Sequence, residues 1–220
     1  MPHIPAGRAA VGLLAALLCL IGLSSCGPAP SNREGDGDDV ALSLPDFTLT
    51  ERSGRTVHLS DLTGKVWVAS FIFTTCTGPC PAVTGTMAQL QSEFAKEPDF
   101  QLVTFTVDPK DDTPAVLTDY AKKYGAKPDR WLFLTGKEAD VYKLLGDGFH
   151  VGAQKNTSAD ATPGTAVTHD THLAVVDRRG RIRGYFSGKA DPESENPDQD
   201  FEKEMDRLRR KVAALLREAP

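Results

Sequence analysis

Residues 66–81 read VWVASFIFTTCTGPCP, and the interpretation of the whole chain starts from this stretch. Its first half, Val66 to Phe73, is a long apolar run typical of a buried strand. Cys76 and Cys80 follow where the strand runs out and a helical pattern begins, so the dithiol lies at a strand-to-helix turn. Free backbone amides in the first turn of a helix favour negative charge, and we therefore expect thiolates to form here more readily than on a free cysteine. The chain is either a redox protein or a thiolate metal site.

On both sides of this turn, the hydrophobic pattern alternates between strands and helices. The predicted strands are Phe47–Thr50, Thr56–Leu59, Val66–Phe73, Gln101–Val107, Trp131–Leu134, Leu173–Val176 and Ile182–Phe186. The predicted helices cover about residues 81–95, 113–125, 137–145 and 200–217, and residues 146–168 form a Gly-rich, polar stretch. The last helix is predicted to be amphipathic and to pack on the sheet through an apolar stripe of Met205, Leu208, Val212 and Leu215. The first two strands form an N-terminal β-hairpin extension, and the last two form a second hairpin. This order predicts an α/β, thioredoxin-like fold with a central mixed sheet flanked by helices.

The start of the chain predicts a secretory signal. Arg8 precedes an uninterrupted apolar run from Ala9 to Leu23, which is shorter than the roughly 20 residues that a spanning helix needs. The run ends in Leu-Ser-Ser-Cys at Cys26, and this ending resembles the bacterial lipobox, in which the cysteine becomes the lipidated first residue. We therefore expect residues 1–25 to be a signal peptide and Cys26 to carry a lipid anchor in the bacterial cell envelope. An ordinary cleavage nearby, with Cys26 incidental, stays open.

Residues 26–39 are rich in Pro, Ser, Gly, Asn and Asp, which predicts a flexible tether to a single domain at residues 40–220 on the extracytoplasmic side. Loss of residues 1–25 removes Arg8 and no acidic residue, so 24 basic and 30 acidic residues remain, a net charge of −6. This balance argues against nucleic acid as a partner.

Cysteine usage agrees with an oxidising compartment. Cys19 leaves with the signal peptide and Cys26 is acylated, so only Cys76 and Cys80 keep unmodified thiols. A secreted disulfide scaffold would need more cysteines.

Three motifs carry a resemblance to a known family. They are Phe71-Ile72-Phe73-Thr74-Thr75-Cys76-x-x-x-Cys80-Pro81, then Thr106-Val107-Asp108-Pro109-x-x-Asp112-Thr113-Pro114, and His169 ahead of Leu173-Ala174-Val175-Val176-Asp177-x-x-Gly180. From about residue 45 to residue 186 the chain resembles the Sco/SenC family of copper chaperones. The resemblance implies that Cys76, Cys80 and His169 bind copper, which is delivered to the dinuclear copper centre of cytochrome c oxidase. The implied partners are the copper-bearing oxidase subunit and thiol reductant or copper donor proteins.

The chemistry of copper agrees with these ligands. Cu(I) prefers soft thiolates, and Cu(II) is well held by thiolates plus imidazole. The C-x-x-x-C spacing alone leaves metal binding and redox chemistry equally open. His169 favours a metal, because thioredoxin-like oxidoreductases have a cis-proline at the start of the neighbouring strand, where this chain has a histidine. Only Met87 and Met205 survive processing, so there is no Met-rich tail and we expect one copper per chain.

Residues near these ligands receive subsidiary roles. Side chains alternate along a strand, so His169 and His172 are expected to face opposite sides, and His172 is assigned to packing or solvent. Asp108 ends the second long strand and is interpreted as a residue that orients loops or His169 by hydrogen bonding, with a simple turn or cap role left open. Asp111 and Asp112 are expected to be helix caps and solvated charge.

Two other functions stay open. A membrane-anchored thiol:disulfide reductase acting on the oxidase copper-site cysteines would need Cys76 and Cys80 but not His169. A copper or redox sensor would use the same three ligands. A zinc site is less favoured, because no glutamate or second histidine lies at the spacing that catalytic zinc sites use.

Overall fold

The apolar run before the dithiol forms strand β4, Val66–Ile72, and all seven of its residues are buried. The structure is a computed structural model, and it describes residues 41–155, 167–169 and 171–219, with the backbone alone at 153–155 and 167–169. The predicted signal peptide, the tether at residues 26–39 and the lipidation residue Cys26 lie outside these ranges.

Apart from three short strands that were not predicted, the other strands and helices follow the predicted alternation. The strands are β1 (Leu42–Ser43), β2 (Thr48–Glu51), β3 (Thr56–His58), β5 (Phe100–Thr106), β6 (Trp131–Thr135), β7 (Ala153–Lys155), β8 (Val167–His169), β9 (His172–Val176) and β10 (Arg181–Ser187). The three that were not predicted are β1, β7 and β8. The helices are α1 (Cys80–Glu93), α2 (Pro114–Lys123), α3 (Glu138–Lys143) and α4 (Pro197–Arg217), with a 3-10 turn at Leu59–Leu62 and a π-turn at Leu144–Gly148.

Within the described ranges, eight strands form one mixed sheet in the order β1-β10-β9-β4-β5-β6-β2-β3. Strands β4, β5 and β6 run parallel, while β9 pairs antiparallel with β4. The carboxyl end of β4 and the start of β9 therefore lie at the same edge of the sheet. This edge is where the chain leaves β4 for the two cysteines.

The sequence accounts for the helices that cover the sheet. Helix α2 begins where predicted, because Pro114 occupies its first turn and the Thr113 hydroxyl caps it by accepting from the Val116 amide at 3.4 Å. Helix α4 buries the four residues of the predicted apolar stripe, Met205, Leu208, Val212 and Leu215. Both predictions are confirmed.

The core beside β4 is aromatic. Phe71 lies 5.0 Å from Phe149 and 6.0 Å from Phe105, measured between ring centroids, and Trp67 lies 6.1 Å from Phe149. Such pairs contribute about 0.5–1.5 kcal/mol each beyond their buried area. This packing fixes the strand that leads to the dithiol.

The structure differs from the sequence prediction between residues 146 and 168. The predicted polar stretch contains the end of the π-turn and two short strands, β7 and β8, which pair antiparallel in a sheet of their own. Three-residue strands in a polar stretch give no periodic signal, which is why the sequence did not indicate them. In the described part of the chain, no helix has both the length and the apolar character needed to cross a membrane.

Candidate metal centre

The dithiol lies where β4 ends and α1 begins. The Cys76 amide donates to the Phe73 carbonyl at 3.2 Å, a tight turn that ends the strand. Cys80 is the first residue of α1, one residue earlier than predicted, and Pro79 precedes it as the N-cap. Cys80 is fully buried, whereas Cys76 is half-buried. The turn thus leaves Cys76 partly exposed and buries Cys80.

Both cysteines are in the thiol form, with no disulfide between them. The hydrogen bond that Cys80 shares with Cys76 and then burial raise the pKa of the Cys80 thiol above its ordinary value. For Cys80 the expectation of an easily formed thiolate is therefore wrong, because the hydrogen bond with Cys76 and the loss of solvation raise its pKa despite the favourable helix terminus. A soft metal ion that binds both sulfurs would have to displace this proton.

His169 lies in β8, in the small sheet outside the main one. Its backbone pairs with that of Ala153 across the hairpin. The side chain of His169 is outside what the structure describes, so its role as a copper ligand remains a prediction.

His169 and His172 do not share a strand, so the prediction that strand alternation points them to opposite sides was wrong in its premise. The two residues lie on different strands in different sheets, because His172 begins β9 of the main sheet, where it pairs with Ser187 of β10. Alternation along one strand therefore says nothing about their relative directions. His172 is exposed and, with His150, Val151 and Tyr185, lines a surface cavity of about 240 Å³. Its assignment to solvent agrees with this exposure.

Asp108 is buried in the turn that follows β5. Its backbone amide donates to the Thr106 hydroxyl at 2.9 Å, and its carbonyl accepts from the amides of Asp111 and Asp112. These bonds are those of a tight turn, the simpler of the two roles considered for Asp108. An orienting role towards His169 stays a prediction.

Asp112 is not solvated charge, and the sequence prediction for it was wrong. Its side chain is buried, at 1% exposure, and accepts hydrogen bonds from Thr74 and Thr106 at the ends of β4 and β5. Burial raises the pKa of Asp112, and the hydrogen bonds from Thr106 and Thr74 oppose this rise without cancelling it. The sequence contained a signal, since Thr74 closely follows β4 and Thr106 is the last residue of β5. No local pattern, however, linked Asp112 to these two threonines.

No group of three or more His, Cys, Asp and Glu side chains suited to a metal occurs among the residues whose side chains are described. Cys76 and Cys80 supply two donors at this position. Strand β9 starts at the same edge of the sheet, and the predicted third donor, His169, precedes it in the chain. The donor set of two thiolates and one imidazole fits copper in either oxidation state.

Comparison with known proteins gives a consistent result. The SCO1/SenC family model matches residues 36–199. The SCO1 protein homolog of Bacillus subtilis (strain 168) is 31% identical over 179 residues, which cover 80% of this chain and 87% of that protein.

Solved structures share the fold. A SCO1/SenC family lipoprotein from Bacillus anthracis str. Ames is 34% identical with a TM-score of 0.61, covering 76% of this chain and 95% of that one. Copper-bound ScoI from Bradyrhizobium japonicum is 25% identical with a TM-score of 0.60, covering 74% and 99%. BsSco, in which a disulfide switch has been identified, is a member of the Sco family of cytochrome c oxidase assembly proteins. It is 27% identical with a TM-score of 0.65, covering 83% of this chain and 98% of that one. The predicted thioredoxin-like α/β fold is confirmed.

Proposed function

The chain belongs to the SCO1/SenC family, and on that premise we propose that it is a copper chaperone for cytochrome c oxidase. Cys76, Cys80 and His169 hold one copper ion as cargo and pass it to the dinuclear copper centre in the copper-bearing subunit of the oxidase. The thiolates hold Cu(I), and the imidazole adds the donor that Cu(II) requires.

The observation that carries this proposal is the reduced dithiol at the carboxyl end of β4. Cys76 and Cys80 lie on one short turn, at the sheet edge from which β9 starts. Ligands collect at the carboxyl ends of strands in α/β sheets, where successive turns meet. Half-exposure of Cys76 gives a metal ion access, and burial of Cys80 shields the bound ion from water.

The relatives support the same function. ScoI from Bradyrhizobium japonicum binds copper, and BsSco belongs to a family of oxidase assembly proteins. The direct test is a titration of the reduced protein with Cu(I) and Cu(II), with the metal content measured after gel filtration. We expect one copper per chain, and none in a Cys76→Ser, Cys80→Ser double variant. A reduced wild-type protein that retains no copper would reject the proposal.

A second candidate function is thiol:disulfide reduction of the oxidase copper-site cysteines. The unequal burial of the two thiols favours it, because a half-buried Cys76 can attack a partner disulfide and Cys80 can then resolve the mixed disulfide. The partner disulfide takes up two electrons and two protons, and Cys76 and Cys80 are left as a disulfide. A sensor that reports copper or redox state would use the same groups. Copper-free protein that reduces the oxidase cysteines at full rate would favour the reductase.

We also propose that Cys26 anchors the protein to a membrane through a lipid, with the domain on the extracytoplasmic side. The Leu-Ser-Ser-Cys sequence motivates this proposal, and the Bacillus anthracis relative is a lipoprotein. An anchor of this kind would keep the copper site close to a membrane-bound oxidase.

A further inference from the structure

The Asp112 carboxylate accepts side-chain and backbone hydrogen bonds at the junction between β4 and the dithiol turn. The Thr74 amide donates to its two oxygens at 3.2 and 3.1 Å, and the Thr74 hydroxyl donates to Oδ1. The Thr106 hydroxyl donates to Oδ2. Thr74 comes two residues before Cys76, so this carboxylate fixes the chain immediately ahead of the first sulfur.

These bonds join three segments that are remote in sequence. Thr106 ends β5 and pairs in register with Ile72 of β4, so Thr74 and Thr106 emerge at the same edge of the sheet. Asp112 follows in the turn after β5, where its amide donates to the Asp108 carbonyl at 3.0 Å. One buried side chain therefore couples the dithiol turn to the neighbouring strand and its turn.

The direction of the hydrogen bonds requires an acceptor at this position. The Thr74 amide can only donate, and the Thr106 hydroxyl accepts from the Asp108 amide at 2.9 Å while it donates its own proton to Asp112. An asparagine at position 112 would replace one of the two accepting oxygens with an N–H₂ group, which would then face a Thr74 or Thr106 donor. A buried donor left without an acceptor costs about 1–3 kcal/mol, and the side chains must move to avoid that cost.

We propose that Asp112 is a positioning residue for the copper site: it holds the dithiol turn in the reduced, metal-accepting arrangement and opposes its closure to a disulfide. Closure shortens the contact between two hydrogen-bonded thiols to a covalent bond, and the carboxylate, through Thr74, resists the shift of the turn that accompanies it. The inference builds on the proposed function, because the same turn is the copper site. Its primary test needs no copper.

The test measures the equilibrium of the copper-free protein with reduced and oxidised glutathione, with the disulfide quantified by trapping and mass. We expect Asp112→Asn to shift this equilibrium towards the Cys76–Cys80 disulfide at least about tenfold, which corresponds to about 30 mV for a two-electron couple. Hydrogen exchange of the Thr74 and Cys76 amides should accelerate in the same variant. An equilibrium within twofold of wild type would overturn the proposal.

Thr74 supplies a milder variant in case Asp112→Asn does not fold. Thr74→Val removes the hydroxyl donor and should shift the equilibrium in the same direction, whereas Thr74→Ser keeps the donor and should restore it. The double variant Asp112→Asn, Thr74→Val should shift no further than the larger single change, because both act through one contact. If the shift of the double variant equalled the product of the two single shifts, the two residues would act independently, and the proposal would be overturned.

Asp177 provides the matched control. It is also a buried aspartate in a turn that accepts several hydrogen bonds, but it follows β9 and so lies at the opposite edge of the sheet from the dithiol. Asp177→Asn should leave the glutathione equilibrium unchanged even where it lowers stability. A shift equal to that of Asp112→Asn would show a general effect of stability and reject a positioning role. Because the primary readout uses copper-free protein, a wild type that binds no copper would reject the chaperone function and leave this test intact.

Discussion

The buried Cys80 thiol and the half-buried Cys76 thiol share a hydrogen bond across the turn that joins β4 to α1. This contact holds two soft donors side by side, although Cys80 is buried and Cys76 is partly exposed. The two cysteines should therefore differ in reactivity although they are four residues apart and belong to one site.

The first prediction concerns that difference. The hydrogen bond with Cys76 and burial raise the pKa of Cys80, so at neutral pH its thiol should stay protonated and inaccessible. Iodoacetamide should modify Cys76 at least about tenfold faster than Cys80, as measured by peptide mass spectrometry over time. Denaturant should make the two rates similar, and Cys80 should remain slow in a Cys76→Ser variant. Equal rates in the native protein would contradict the described burial.

The second prediction is that oxidised, copper-free protein does not load copper. A disulfide between Cys76 and Cys80 removes both soft ligands together. Metal analysis should find no copper on the oxidised protein and one copper per chain after reduction. The Cys76→Ser, Cys80→Ser double variant is the control, and it should bind none under either condition. Equal uptake before and after reduction would contradict this account.

The third prediction concerns stability and pH at Asp177. Burial acts to raise the pKa of Asp177, but hydrogen bonds from Arg181, Arg179 and Arg183 outweigh it, and the pKa is lowered overall. A lowered pKa stabilises the fold above the unfolded value of about 4 and loses that contribution as the pH falls through the folded value.

Asp177→Asn should therefore lower the free energy of unfolding at pH 7 by about 1–3 kcal/mol. The difference from wild type should shrink as the pH falls from about 4 through the lower folded value, because Asp177 of the unfolded chain is protonated before Asp177 of the folded protein. Urea titrations at several pH values measure both effects. A difference that does not change with pH would show that ionisation of Asp177 does not contribute to stability.

The fourth prediction concerns the anchor. Cys26→Ala should release the protein from membranes into the soluble fraction, because the Leu-Ser-Ser-Cys motif loses its acceptor for lipid. Intact mass of the membrane-extracted wild type should show a diacylated chain that begins at Cys26. A wild-type mass without lipid would reject the anchor, and a Cys19→Ala variant should behave like wild type.

The sequence predicted the elements whose signal is local. The apolar run of β4 and the stripe of Met205, Leu208, Val212 and Leu215 on α4 are patterns within one segment, and both lie where predicted. Asp112 was misassigned because its partner Thr74 is 38 residues away, and only the pairing of β4 with β5 brings them together.

The segment around His169 shows a second limit of sequence patterns. Strands β7 and β8 have three residues each, too few for a period, and they were predicted as a polar stretch. The comparison of His169 with His172 assumed a single strand and failed for that reason. The role of His169 as a copper ligand comes from the family motif and stays a prediction.

The most direct test of the copper-chaperone function is the Cu(II) spectrum of His169→Ala beside that of His172→Ala. Two thiolates alone can hold Cu(I), but Cu(II) needs a further donor such as imidazole. We predict that His169→Ala keeps Cu(I) binding and loses both tight Cu(II) binding and the sulfur-to-copper charge-transfer absorption, while His172→Ala retains them. Assembly of cytochrome c oxidase under low copper should fail only with His169→Ala. A His169→Ala protein with full Cu(II) affinity that still supports the oxidase and reduces protein disulfides normally would contradict the copper-chaperone function and identify the dithiol as a reductase site.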